Sequence, residues 1–120
     1  MSYPRGRHFA VTTPHFTIST RAAPTGVQRV SLSGDLDMSI GDALHHALAE
    51  AARQPGVTDV VVDLEHTRFI DSHAVAGLVS GYQAATEAGR GFTVVNGHGT
   101  VQEVLDVTGL SEVLCRLTAP

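Results

Sequence analysis

DVVVDLEHTRFIDSHAVAGL, residues 59–78, changes hydrophobic rhythm partway along its length. Val60, Val61 and Val62 are consecutive, which predicts a short strand over 59–64 buried on both faces, and hence a parallel sheet. Beyond Asp71 the apolar residues Val75, Leu78, Val79 and Tyr82 fall on one helical face, and the helix ends near Gly89. At the changeover stand an acid, a serine and a histidine: Asp71, Ser72 and His73.

Working upstream, Ile40, Ala43, Leu44, Ala47, Leu48 and Ala51 recur at three- and four-residue spacing, an amphipathic helix stopped by Pro55-Gly56. Ser39 and Asp42 are spaced as a capping box with Asp in place of Glu. Before it, residues 15–20 and the alternating Val30 and Leu32 read as two strands. The RAAPTG turn between them is of hairpin length, so they pair antiparallel. Downstream, FTVVNG supplies another strand, Thr100 and Glu103 form a T-x-x-E box ahead of a third helix, and Gly109 suits a left-handed C-terminal residue. EVLCRLT is a final turn or an edge strand. Residues 1–14, with Pro4, Gly6, Pro14 and no apolar period, read as a flexible arm, which leaves one domain over 15–118. Alternating strands and helices after an opening hairpin make an α/β fold with a mixed, mostly parallel sheet and right-handed crossovers.

The bulk composition excludes several functions. Eight basic residues against twelve acidic ones give a formal charge of -4, which disfavours nucleic acid or an anionic membrane as partner. All the basic residues are arginine, so neither a Schiff-base lysine nor a P-loop lysine exists. A lone Cys115 and the lack of a long apolar segment lead us to expect a cytoplasmic protein. No His or Cys pair has metal-ligand spacing, the neighbours His45 and His46 are expected to splay apart, and no cofactor is expected.

Chemistry should collect at the carboxyl ends of the parallel strands. Three segments would meet there: Asp35, Asp37 and Ser39; Asp71 and Ser72; and Asn96-Gly97-His98-Gly99-Thr100. A local Ser-His-Asp triad is excluded, because successive residues at a helix start point about 100° apart. GLVSG lacks the spacing of a nucleophile elbow, so a hydrolase with a remote base such as His98 is a minor alternative. Asp71 or Ser72 is placed to cap the helix, with Ser72 the first choice. A phosphate on Ser72 would lie at the positive end of the helix and meet free N–H groups there. The domain would keep its shape, while an interface over this edge would have to desolvate the phosphate beside Asp71.

Four segments, SGDLD (33–37), FIDSHAVAGL (69–78), GRGFTVVN (89–96) and TGLSEVL (108–114), resemble the STAS domain of bacterial anti-sigma factor antagonists. The resemblance implies helices packed on one side of the sheet and a non-enzymatic protein, a monomer or weak dimer. Such a protein binds an anti-sigma factor serine kinase and so frees a sigma factor. It further implies Ser72 as the phosphorylated residue, with phosphate blocking the interaction and a phosphatase restoring it. The partner-binding set would be Asp35, Asp37, Asp71, Ser72, His73 and Ala74. Ala74 stands where the family usually has glycine, and its methyl is expected to crowd a close partner; His73 replaces a small residue. The alternative within the same resemblance is a constitutive scaffold or transport-complex subunit without a phospho-switch.

Overall fold

A computed structural model describes residues 9–12, 16–36 and 40–115. Strands β1 (Phe9–Thr12), β2 (Phe16–Ala22) and β3 (Val27–Leu36) precede helix α1 (Gly41–Arg53). Then follow β4 (Asp59–Ile70), α2 (Ser72–Glu87), β5 (Gly91–Val95), α3 (Gly99–Val107) and α4 (Ser111–Leu114). The five strands lie in sequence order in one sheet; β1-β2 and β2-β3 are antiparallel, β3-β4 and β4-β5 parallel. The mixed α/β sheet and the opening hairpin are as the sequence predicts.

Within the stretch 1–14 read as an arm, Phe9–Thr12 forms a strand that pairs with β2 from Phe9 opposite Thr20 to Thr12 opposite Thr17. An edge strand offers unpaired backbone groups to any extended segment, whatever its apolar pattern, so composition does not report this pairing. Residues 1–8, 13–15 and 116–120 lie outside the described residues, as do Asp37, Met38 and Ser39.

One apolar cluster lies between the sheet and the helices. Phe16, Ile18, Val30, Leu32, Val60, Val62 and Leu64 come to it from the strands, and Leu44, Leu48, Leu78 and Leu105 from the helices. The burial of β4 on both faces is not realised: Val60 and Val62 are fully buried, but Val61 and Asp63, on the alternate face, are half-buried. Among the described residues the helices pack on the first face, and the second carries an Arg29–Asp63 ion pair at 2.8 Å.

β4 also runs six residues past the predicted end at 64. Over the span shared with β3 its register slips twice, between Ser31 and Ser33 and between Gly34 and Asp35. Each slip is a bulge that adds a residue to β4 and breaks the two-residue alternation. Burial along 64–70 accordingly falls on Leu64, Thr67 and Ile70. Thr67 Oγ1 donates to Leu32 O at 2.8 Å, which accounts for its burial.

Helix α2 buries Ala74, Gly77, Leu78, Gly81 and Ala85, a stripe offset from the predicted one; Val75 and Tyr82 are half-buried beside it. The offset comes from the glycines, whose missing side chains admit Leu44 and Leu48 of α1. A Cβ on Gly77 would lie 3.0 Å from Leu44 Cδ2, and one on Gly81 would lie 2.8 Å from Leu48 Cβ. Helix α1 has Ile40 at its N-cap without a side-chain bond, and its last carbonyls are closed by Arg90, whose Nε donates to Ala52 O at 2.9 Å.

Thr100 does not cap α3. That helix starts two residues earlier than a Thr100 cap implies, at Gly99 behind His98, with no side-chain cap bond. Its other end follows the prediction: Gly109 takes φ 78, its N–H reaches Asp106 O at 3.1 Å, and Leu110 N–H reaches Leu105 O at 3.0 Å, a Schellman closure. Over the described part of EVLCRLT, residues 112–115, the open choice resolves in favour of a helical turn, α4.

Candidate functional site

The ends of β3 and β4 pair through Leu36 and Ile70, and Leu36 O accepts the Asp71 N–H at 3.2 Å. This bond fixes where α2 begins. Asp71 has extended backbone (φ -114, ψ -172), and its Oδ1 accepts from His73 N at 2.9 Å and Ala74 N at 3.1 Å. Asp71 is therefore the N-cap, not Ser72, because the residue that keeps extended backbone can turn its carboxylate onto the free amides two and three residues on. Relieved of capping, Ser72 is the first helical residue; it is exposed, and its hydroxyl makes no hydrogen bond among the described residues.

The cap alters the expected setting of a phosphate on Ser72. The His73 and Ala74 amides it was to meet are occupied by Asp71. What remains at the helix start is the helix dipole and the Ser72 N–H, which Asp71 does not take; the His73 Nδ1 lies 3.8 Å from Asp71 Oδ2. Ala74 is fully buried, so its methyl faces the core and cannot crowd a partner. The crowding expected from the sequence does not arise, since the third position of α2 points at α1 and the sheet.

Asp35 meets Phe69 in the strand register, and its carboxylate pairs with Arg68 at 3.3 Å, both groups well exposed. Arg68 and Phe69 were not among the residues picked from the sequence. The second bulge turns both outward, and Phe69 is left 44% exposed three residues before Ser72. The only signal available was an aromatic between Arg68 and a core-facing Ile70, and it carries meaning only once the bulge is known. Asp37 and Ser39 lie outside the described residues. The start of α1 is nearby, since a Cβ on Gly41 would stand 3.8 Å from His73 O.

The third expected segment does not join this edge. β5 pairs with β4 only from Asp59 to Asp63, so β4 continues seven residues beyond it, about 23 Å at roughly 3.3 Å per residue. Asn96–Thr100 accordingly lies against the middle of β4. Asn96 Nδ2 donates to Asp63 Oδ1 at 3.0 Å, and the His98 ring nitrogen Nε2 pairs with Glu65 O at 2.8 Å. His98 is thus held well short of the end of β4, where a base for Ser72 would be needed. The Asp63 carboxyl is opposed by its burial, but the Asn96 amide, the Glu65 N–H and the Arg29 guanidinium together outweigh that and hold its pKa below the ordinary value.

Ser80, the serine of GLVSG, lies mid-helix and shares a hydrogen bond with His45 Nδ1, a tie between α2 and α1. His45 and His46 do not splay apart: their rings meet edge to face with centroids 5.6 Å apart. Among the described residues no cluster of His, Cys, Asp and Glu could hold a metal, and no helix is long and apolar enough to cross a membrane.

Residues 19–117 match the STAS_2 family model, described as Mlab, STAS domain. An anti-sigma factor antagonist from Mycobacterium paratuberculosis shares the fold with a TM-score of 0.73 at 26% identity, over 87% of this chain and 87% of that one. SpoIIAA in its unphosphorylated form matches with a TM-score of 0.71 at 20% identity, over 84% of this chain and 88% of that one. The Bacillus SpoIIAA in its phosphorylated form gives 0.64 at 19%, over 84% and 91%. Murine Slc26a9, an anion transporter, gives 0.65 at 18%; the match covers 79% of this chain and 16% of that one.

Proposed function

We propose, from the premise that this chain belongs to the STAS domain family, that it is a cytoplasmic anti-sigma factor antagonist switched by phosphorylation of Ser72. The observation that carries the reading is the exposed, unbonded Ser72 hydroxyl at the start of α2, with the cap made by its neighbour Asp71. The Mycobacterium antagonist at 26% identity supports the activity, and the phosphorylated form of SpoIIAA supports the kind of control.

The docking edge comprises Phe69, the Asp35–Arg68 pair, Asp71, Ser72 and His73. The partner is an anti-sigma factor of the serine-kinase type, and a phosphatase resets the switch. Phosphate adds about -1.5 to -2 charges beside the Asp71 carboxylate. In the free domain water screens that charge; under a partner it is desolvated next to a like charge. A hundredfold loss of affinity corresponds to about 2.7 kcal/mol, well within what one buried, unpaired phosphate supplies. The protein acts by binding and turns over no substrate.

Incubation with its kinase and ATP, followed by peptide mass spectrometry, tests the site: one phosphate on the peptide carrying Ser72, and none on Ser72→Ala. Phosphate elsewhere, or none, contradicts the reading. A second reading, a constitutive subunit of a larger assembly, is motivated by the same fold inside Slc26a9. Copurification with a membrane transporter and with no kinase would favour it.

A further inference from the structure

At the opposite end of the sheet from Ser72, the β2–β3 turn and the α1–β4 turn enclose an open cavity of about 340 Å³. Ala22, Ala23, Pro24, Val27, Pro55 and Val57 make its walls mostly apolar, and no lining residue is charged. The two turns are tied together, because Thr58 N–H donates to Gly26 O at 2.8 Å. Gly26, at φ 95, lets them approach; a Cβ there would lie 2.9 Å from Gly56 O. The volume falls at the small end of ligand pockets, and apolar walls left to water cost stability.

The chain itself supplies an occupant. β1 runs antiparallel to β2 and puts Phe9 opposite Thr20, two residues short of Ala22. The chain preceding Phe9 therefore enters β1 from the end of the sheet where the cavity opens. The other segments outside the described residues attach elsewhere. Residues 13–15 and 37–39 join elements at the Ser72 end, and 116–120 follow α4, which packs on β5 at the far edge of the sheet. Residues 1–8 read MSYPRGRH. The six residues from Tyr3 to His8 span up to about 20 Å when extended, against about 5 Å between neighbouring strands, so Tyr3 has the reach.

We infer that the cavity is the seat of the chain's own N-terminal segment, with the Tyr3 and Pro4 rings against the proline and valine walls. The Tyr3 hydroxyl stays at the open mouth, and Arg5 and Arg7 stay outside, since no carboxylate in the lining could pair with a guanidinium. β1 has only four paired residues and lies at the sheet edge, so a segment anchored beyond Phe9 fastens that strand to the turns. The seat is remote from Ser72 and is filled whether or not that serine carries phosphate.

The test is solution NMR on the full chain, with an equal mixture of isotope-labelled and unlabelled protein to separate contacts within one chain from contacts between two. Cross-peaks from the Tyr3 ring to the Val27 and Val57 methyls within one chain are expected. Tyr3→Ser should abolish them, shift the amides of residues 22–28 and 54–57 and leave those of 69–74 in place. It should also speed amide exchange over residues 9–12 by about threefold or more. Ala23→Trp, at an exposed lining position, sets an indole in the same cavity and should displace Tyr3. Absence of the cross-peaks in the parent overturns the inference. So do cross-peaks found only between two chains, which would make the occupant a second copy, and Tyr3 contacts that survive Ala23→Trp. Cavity amides and β1 exchange that Tyr3→Ser leaves unchanged would overturn it as well.

Discussion

Asp71 Oδ1 accepts the His73 N–H at 2.9 Å, a contact that makes the acid the helix cap and leaves the next residue's hydroxyl unused. Capping thereby falls to Asp71, and the hydroxyl proposed for phosphorylation is left to its neighbour. Asp71→Ala should lower stability by about 1 kcal/mol, the usual worth of a cap, and Asp71→Ser should restore most of it. Urea unfolding checks both. A variant as stable as the parent would show that the cap contributes nothing.

The α1–α2 contact rests on two missing side chains. Gly81→Ala gains about 0.8–1.0 kcal/mol of helix propensity but places its Cβ against Leu48, an overpacking that costs about 1–3 kcal/mol. A net loss near 1 kcal/mol is expected. Gly77→Ala meets Leu44 less closely, at 3.0 Å from Cδ2 and 3.3 Å from Cβ, and should lie nearer the parent. Thermal unfolding of the two variants gives the ranking, and the reverse order would contradict the packing described.

Asp63 gives the fold an acid-sensitive element. Its folded pKa lies below the ordinary 3.8. The unfolded chain therefore takes up the proton first, so the stabilisation is complete above that value and disappears as pH falls through the folded pKa. Asp63→Asn should be less stable than the parent at pH 7 by about 1 kcal/mol, a value kept modest because Arg29 is half-exposed. The difference should close as the pH is taken below the carboxylate range. A gap that stays constant down to low pH would rule this out.

Phe69 is a candidate anchor for the partner. It is 44% exposed, so Phe69→Ala should change stability little. Buried aromatics dominate interface energies, so the affinity for the anti-sigma kinase should fall at least tenfold. Calorimetric titration decides, and unchanged affinity would remove Phe69 from the docking edge.

The amphipathic period of residues 40–51 and the alternation at Phe16, Ile18, Val30 and Leu32 were legible because burial on a single face repeats at fixed spacing. The second half of β4 was not. Two bulges shift Thr67 and Ile70 inward and Arg68 and Phe69 outward, and bulges arise from pairing with β3 rather than from β4's own residues. The same cause hid Arg68 and Phe69, two of the six residues of the docking edge. Asp71 and Ser72 were readable as a helix start, but which of them caps depends on the backbone angles at one residue. The placement of Asn96–Thr100 depended on the unequal lengths of β4 and β5, and strand ends are poorly marked in sequence.

The switch itself is tested by comparing the kinase affinity of the unmodified protein, the Ser72-phosphorylated protein and Ser72→Ala, with the unfolding midpoint of each recorded alongside. The account predicts nearly equal midpoints, with affinity at least a hundredfold weaker for the phosphorylated form alone. Equal affinities across the three, or a phosphorylated form that unfolds, would contradict it.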